Sequence, residues 1–457
     1  DQPVALSSIM LSDSSGEAWI GGSGAIDPGG YYVVYANSGA STTGAPFSLD
    51  ADGDTLTLVV GGIVTDRIAT GDLGKDVAWA RIPDGGNWEP NTWITQGETN
   101  GDESYYKPRG DDLFEELHIY EIDIGLSQAS YQTLAADGRT TYVEGDVSID
   151  DEVIDPIGVR LRGSYTYKPL GQKSSFKLDF NRFQDLKYNG LQKLDLYNQM
   201  AYNSGVKEYS IYKLAEYMQI PVLRVGFARV AVNSEAYGFY LMAETYDDQW
   251  LQHTYGEDDG SMVWEPNYGD INADMSYWDC EVGPCDTAVL NNMKTLLNST
   301  ASDANVAAMD QYMNLDNVLM MMAIELASGD WDGYCASHNF RVIWDAQTEK
   351  VDLTLSSMDL TLSGPTPTIG SCRASVYTWC SQNAGCNQRW KDTLNNLADG
   401  VEEMRLVEHL EEVRDLIESD MVSQTKLPIS QNAFDTEYDQ VLAYYTALPG
   451  VLRTAAQ

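Results

Sequence analysis

Apolar positions recur along the chain with two different periods. Through residues 1–95 they form short alternating runs between Gly, Ser, Asp and Thr turns. Tyr31-Tyr32-Val33-Val34-Tyr35, Thr55-Leu56-Thr57-Leu58-Val59-Val60 and Val77-Ala78-Trp79-Ala80-Arg81-Ile82 read as strands, and their spacing describes a small all-β sandwich. Residues 96–112, from Gln96-Gly97-Glu98 to Lys107-Pro108-Arg109-Gly110, are polar and read as a linker. Past Leu113 the alternation returns in longer stretches. Ile119-Tyr120-Glu121-Ile122-Asp123-Ile124 predicts a strand. Ile157, Val159 and Leu161 face a core while Arg160 and Arg162 face away from it. Phe176, Leu178 and Phe180 repeat that arrangement with Lys177 on the polar face.

The period then lengthens. Ile211, Leu214, Ala215 and Met218 mark one stripe of a helix. Val230-Ala231-Val232 and Tyr237-Gly238-Phe239-Tyr240-Leu241-Met242-Ala243 predict a hairpin across Asn233-Ser234-Glu235. Val318 to Ala327 is a buried helix interrupted by Glu325, with Asp316 placed to cap it. From Gln388 onwards the pattern is largely helical, and there is no internal repeat. The expected architecture is multidomain. A β-sandwich at 1–95 and a linker at 96–112 precede an α+β domain at 113–457 whose C-terminal part is helical.

Charge narrows the classes of function. The chain has 457 residues, with 69 Asp and Glu against 28 Lys and Arg, a formal net charge of -41. Such a surface repels a nucleic-acid backbone and an anionic membrane, and is well suited to a salty medium where counterions screen self-repulsion. No apolar run reaches the roughly 18 residues that a spanning helix needs. No signal peptide is visible at Asp1, which fits a mature or trimmed start. The Asp50-Asp52-Asp54 triplet could hold a structural Ca2+, or it could be a plain turn. Gly53 is misplaced for an EF-hand loop, and its twelfth position is Gly61 instead of Glu. Abundant Tyr (28) and Trp (11) also admit a glycan- or calcium-dependent binding module.

The six cysteines are Cys280, Cys285, Cys335, Cys372, Cys380 and Cys386. Their even count favours disulfides and an oxidising compartment. Six cysteines allow fifteen pairings. The Glu-Val-Gly-Pro turn between Cys280 and Cys285 suggests that pair, and Cys335 is expected to join the 372–386 cluster.

Several motifs in order resemble one known family. They are Gly158-Val159-Arg160-Leu161-Arg162-Gly163-Ser164, Lys173-Ser174-Ser175-Phe176-Lys177-Leu178, Val232-Asn233, and Gly238-Phe239-Tyr240-Leu241-Met242-Ala243-Glu244. Leu315-Asp316-Asn317, Gly329-Asp330-Trp331-Asp332-Gly333-Tyr334 and His338-Asn339 follow. Over residues 113–457 the chain resembles the CotH (spore-coat-protein-H-like) kinase family. The resemblance implies an atypical protein-kinase-like fold, ATP with Mg2+ or Mn2+ as cofactors, and a protein substrate. The first 95 residues are similar to a lamin-tail-type domain. Met10-Leu11-Ser12-Asp13, the approach at Ile26-Asp27-Pro28-Gly29-Gly30-Tyr31, the Asp50–Asp54 turn and Pro83-Asp84-Gly85 carry that likeness. The opening strand of such a domain is missing ahead of Pro3-Val4-Ala5-Leu6. Either the chain was trimmed or filled from within, or a neighbouring molecule completes the sheet and the protein self-associates.

Phosphoryl transfer needs cations on the phosphates, a metal held by a carboxylate and an amide, and a carboxylate facing the acceptor hydroxyl. Arg160, Arg162 and Lys177 suit a phosphate-binding patch, or else are solvated strand faces. Lys173 is a further candidate. Glu244 could orient a phosphate-binding lysine or form a structural ion pair. The resemblance implies Asp332 as the catalytic base, and Asn339 and Asp359 as metal ligands. His338 is expected to pack or hydrogen-bond. Two departures stand out. Cys335-Ala336-Ser337 lengthens the spacing from Asp332 to Asn339. The family's Trp-Asp-x-Asp run here reads Ser356-Ser357-Met358-Asp359, so Ser357 replaces the first acid. The function expected is therefore a secreted or cell-surface kinase for Ser or Thr. The alternative is a pseudokinase-like structural or adhesive protein.

Overall fold

The computed structural model describes residues 2–36, 44–49, 53–70, 78–82, 84–91, 100, 110, 113–114, 117–137, 139–184, 186–255 and 260–457. The chain divides into two units, Asp1–Arg109 and Gly110–Gln457. Of the 96–112 stretch read as a linker, only Asn100 and Gly110 are among the described residues.

The first unit is β-rich. Its strands are β1 (Val4–Ala5), β2 (Ile9–Ser12), β3 (Ala18–Ile20), β4 (Ala25–Ile26), β5 (Thr55–Val60), β6 (Ile63–Ala69), β7 (Ala78–Ile82) and β8 (Asn87–Asn91). An antiparallel sheet runs in the order β3-β2-β5-β6, with β1–β4 and β7–β8 as separate pairs. Leu6, Ile9, Trp19, Ala45 and Phe47 form its small core. The Thr55–Val60 strand is as expected. The Tyr31–Tyr35 run is not a strand. Tyr31, Tyr32, Val33 and Tyr35 are exposed, and the Tyr31 hydroxyl donates to Asp84 Oδ2 at 2.6 Å. Val77 and the acids Asp50 and Asp52 lie outside the described residues. Asp54 is buried, and its Oδ1 accepts the backbone N–H of Ser14 (3.0 Å) and Thr55 (2.6 Å), so this carboxylate braces a turn.

The second unit begins with a closed seven-stranded barrel in the order β10-β11-β12-β13-β15-β14-β9. In chain order these are β9 (Ile119–Gly125), β10 (Val143–Ile149), β11 (Glu152–Arg162), β12 (Ser175–Asp179), β13 (Lys193–Tyr197), β14 (Val225–Val232) and β15 (Glu235–Ala243). Helix α1 (Gln128–Asp137) follows β9, and α2 (Lys207–Tyr217) follows β13. Period-two alternation decides what fills the barrel. Val159, Leu161, Phe176, Leu178, Leu194 and Leu196 belong to its buried interior. Their neighbours Arg160, Arg162, Lys177, Lys193 and Asp195 therefore face outward. Register sets them side by side: Arg160 opposes Lys177, and Lys177 opposes Asp195.

Beyond the barrel, α3 (Asp248–Tyr255) leads into a sheet ordered β17-β16-β18-β19. Its strands are β16 (Met262–Pro266), β17 (Trp278–Val282), β18 (Phe340–Asp345) and β19 (Lys350–Leu355). The helices α4 (Asn291–Leu297), α5 (Asp303–Met309), α6 (Leu315–Ser328), α7 (Ser375–Cys380), α8 (Ala384–Glu403), α9 (Leu406–Ser423) and α10 (Gln431–Ala455) complete it. Helix α6 is buried on nearly every side, which its unbroken apolar run requires. Asp316 does not cap it. The N-cap position is Asn314, and Asp316 lies in the first turn, paired with Arg389 at 2.7 Å. Gly329, at φ 70°, ends the helix in the left-handed conformation that favours glycine there. Helix α2 is also sunk into the unit, its Lys207 meeting Glu437 of α10 at 3.2 Å. Among the described residues no helix is long and apolar enough to cross a membrane.

All six cysteines are paired: Cys280–Cys285, Cys335–Cys372 and Cys380–Cys386. The second bridge spans 37 positions and ties the loop after α6 to the segment before α7. Replacing Cys335 and Cys372 together by Ala is expected to lower unfolding stability by about 3–4 kcal/mol. Denaturant titration of the oxidised protein checks it. An unchanged midpoint would show that the bridge adds nothing.

Candidate active site

A cleft of about 670 Å³ opens between the outer face of the barrel and the β18–β19 side of the second sheet. That size suits a nucleotide-sized ligand. Seven Asp and Glu line it, yet cations are far denser here than in the chain as a whole. Six of the 28 Lys and Arg residues line it: Arg139, Arg160, Arg162, Lys177, Lys193 and Arg341. Asp195 neutralises two of them, lying 2.8 Å from Arg162 and 3.9 Å from Lys177. Arg341 pairs with Glu265 at 3.0 Å. Arg139, Arg160 and Lys193 make no ion pair with any described residue. Aromatic rings hold three of the guanidinium groups in place: Tyr167 faces Arg139, Tyr142 faces Arg160 and Tyr197 faces Arg162. Asp195 pulls the Lys177 pKa upward. Burial and the charges of Arg162, Lys193 and Arg160 outweigh it and leave the ammonium below its ordinary value.

The opposite wall is the loop that follows α6. Glu325, buried in that helix, accepts the backbone N–H of Tyr334 (2.9 Å) and Cys335 (3.2 Å). Asp330 Oδ1 accepts the N–H of Asp332 at 2.9 Å. Asp270 accepts the Tyr334 hydroxyl (3.0 Å) and both the N–H (2.6 Å) and the hydroxyl (2.7 Å) of Ser375. This bracing presents Asp332 and Asn339 to the cleft. Asn339 Nδ2 donates to Asp332 Oδ2 at 2.9 Å, and His338 Nδ1 lies 3.3 Å from Asp332 Oδ1. Ser337, Asn339, Ser357 and Leu360 all have positive φ. Such backbone strain collects where the surrounding structure fixes functional groups.

Asp359, Glu208 and Gln199 also line the cleft. Burial raises Asp359, its own N–H and Arg162 pull it down, and Asp332 pushes it up again. Glu208, in the first turn of α2, is pushed up to about 8 by burial, with the Asp359 charge adding to the effect. Gln199 and Arg162 oppose it. Asp330 is pushed up to about 7, first by burial. The Asp332 N–H opposes, and the charges of Asp332 and Asp359 add.

A family model described as CotH kinase protein matches residues 159–445. The chain belongs to the CotH kinase protein family. The match takes in every cleft residue named above except Arg139, and all three disulfides. No curated protein matches the chain at a significant level.

Of the residues singled out from the CotH motifs, the structure brings Arg160, Arg162, Lys177, Asp332, Asn339 and Asp359 into one cleft. Two it places elsewhere. Glu244 is buried against Arg224, whose Nε and terminal nitrogen donate at 3.0 and 2.6 Å, so its charge is spent on a guanidinium away from the cleft lining. Lys173 is buried within reach of the Tyr240 ring and bonded to Gln424, and burial lowers its pKa to about 7. Asp195, Lys193, Glu208, Gln199 and Arg341 were not anticipated. Lys193-Leu194-Asp195-Leu196-Tyr197 shows the same alternation as the two strands beside it, and that signal could have found the first two.

The oxygen-rich donors fit a hard divalent cation. Among the described residues no three His, Cys, Asp or Glu side chains form a metal cage. Mg2+ needs none, because it is ordinarily bound by one or two carboxylates with phosphate oxygens and water completing the shell.

Two predictions follow from the loop. A Cβ on Gly333 would sit 2.6 Å from Glu325 Oε1 and closer still to Asp330 Oδ2. Gly333→Ala is expected to cost about 1–3 kcal/mol of stability, read by denaturant titration. Asp330 has an ordinary pKa of 3.8 when unfolded and about 7 when folded. The native state therefore holds the proton more tightly, and its contribution to stability, full at low pH, is lost as pH rises through 7. Asp330→Asn is expected to flatten the decline in melting temperature between about pH 4 and 7. A variant with an unchanged slope would reject the assignment.

Proposed function

We propose that this chain is an extracytoplasmic protein kinase that transfers the γ-phosphate of ATP to a Ser or Thr hydroxyl of a protein substrate. The observation that carries the proposal is the concentration of cations. A chain of net charge -41 places six Lys and Arg in one cleft, three of them without a carboxylate partner among the described residues. Unpaired cations held by aromatic rings in so acidic a protein suit a ligand that brings several negative charges. Arg139, Arg160, Arg162, Lys177 and Lys193 would bind phosphate oxygens. Asp332, oriented by Asn339, would receive the proton of the acceptor hydroxyl. Asn339 and Asp359 would hold Mg2+ or Mn2+, which when bound neutralises charge developing on the phosphates. The three disulfides suit assembly in an oxidising compartment, secreted or at the cell surface.

One observation favours a second reading. Ser357 lines the cleft where the family has an acid, and a neutral hydroxyl is a poor Mg2+ ligand. A pseudokinase-like surface protein, self-associating through its β-rich first unit, would keep the fold without the chemistry.

Mg2+ with ATP is expected to raise the melting temperature, since a ligand at 100 times its Kd stabilises by about 2.7 kcal/mol. Lys177→Ala combined with Arg160→Ala should abolish that shift. Asp332→Asn should leave the shift and reduce phosphate transfer to a Ser/Thr protein by about 100-fold or more. Binding without transfer in the parent protein would select the second reading. No shift at all would reject both nucleotide roles.

A further inference from the structure

The loss of the first acid at Ser357 leaves Asp359 as the single carboxylate of its loop, and the structure shows a second carboxylate arriving from elsewhere. Glu208 is 3% exposed and lines the cleft at the first turn of α2. It makes no ion pair with any described residue. Among the described residues its side chain takes one hydrogen bond, from Gln199 Nε2 at 2.9 Å to Oε2. Among the described residues none supplies it with a counter-charge at contact distance, and the titratable groups around it are Asp359, Arg162, Tyr197, Tyr202 and Tyr212. An acid so buried is paired, coordinates a metal or keeps its proton; Glu208 keeps its proton when no cation is near, and a bound cation would displace it.

A second observation concerns oxygen. Gln199 is 4% exposed, sits at φ 51° and turns its amide nitrogen to Glu208. Its Oε1 is thereby left buried with no hydrogen-bond partner, on a residue that lines the same cleft. Asn339 also gives its amide nitrogen to a carboxylate, that of Asp332. Glu208, Asp359, Gln199 and Asn339 therefore line one cavity. Carboxylate and carbonyl oxygens are the donors that hard divalent cations select.

We infer that Glu208 supplies the carboxylate that Ser357 no longer provides, so that the divalent cation is held between α2 and Asp359, with the amide oxygens of Gln199 and Asn339 completing the protein's share. The inference rests on the reading of this cleft as a metal–nucleotide site, and it moves one ligand from the loop to the helix. It also gives α2 a part in the site. A helix fixed by Lys207 to Glu437 and buried along most of its length holds its first turn at a set distance from Asp359. The helix would then favour a cation of one size over another.

Mn2+ binding to the full chain without nucleotide, followed by electron paramagnetic resonance and by thermal shift, is the test. The parent protein is expected to bind Mn2+. Glu208→Gln, which keeps the shape and the Gln199 contact, should weaken binding by about tenfold or more. Ser357→Asp should restore it in the Glu208→Gln background, an outcome that damaged folding would not give. Equal Mn2+ affinity in parent and Glu208→Gln overturns the inference, as does a parent that binds no Mn2+. Metal-free ATP binding, measured alongside, depends on the cationic barrel face and not on Glu208. Its loss from the parent would reject the nucleotide reading while leaving the Mn2+ result to stand or fall separately.

Discussion

The cationic face of the barrel exists because one carboxylate is shared. Arg162 and Lys177 stand on adjacent strands, and Asp195 on the next strand reaches both. Like charges so close would repel, and half-burial would magnify the repulsion because nearby water is scarce. Asp195 offsets enough of it for the strands to stay in register and not enough to cancel the wall. Arg160 and Lys193 stand beside this shared pair on the same face, and the density of cations is what distinguishes the cleft from the rest of a strongly acidic molecule. The cost appears at Lys177, whose charged form is held less firmly than an ordinary lysine's.

Much of this layout was legible in the sequence. Alternation at Ile157–Leu161 and Phe176–Phe180 identified both strands, and with them the polar face that Arg160, Arg162 and Lys177 share. The apolar run at Val318–Ala327 identified α6 because no surface helix tolerates such a run. What escaped was set by tertiary contact. Glu244 belongs to Arg224 through strand pairing near the end of β15, and no local pattern records that partner. Tyr31–Tyr35 has the composition of a strand but keeps most of its side chains exposed and forms none, so propensity alone misled. Asp316 has the residue type of a cap and was drawn instead to Arg389 from α8. Glu208 was not singled out, since helix periodicity says nothing about what faces a buried first turn.

The loop after α6 is held by groups that would each be costly alone. Glu325 and Asp330 are buried acids within reach of one backbone turn, and both are raised above their ordinary pKa values, first by burial. Gly333 allows their close approach because it has no side chain to intrude. The left-handed residues Ser337 and Asn339 complete a segment that cannot hold its shape unaided. Its geometry is borrowed from α6, from Asp270 and from the Cys335–Cys372 bridge.

That bridge joins the chemistry to the history of the molecule. A chain newly made among reducing thiols has the hydrogen bonds of Glu325 and Asp270 but not the covalent tie at Cys335. Its loop can then fray toward solvent before the remainder of the unit does. Oxidation closes the tie where thiols are not kept reduced. The segment that carries Asp332 and Asn339 therefore takes its full rigidity from the redox state of its surroundings as well as from its own packing.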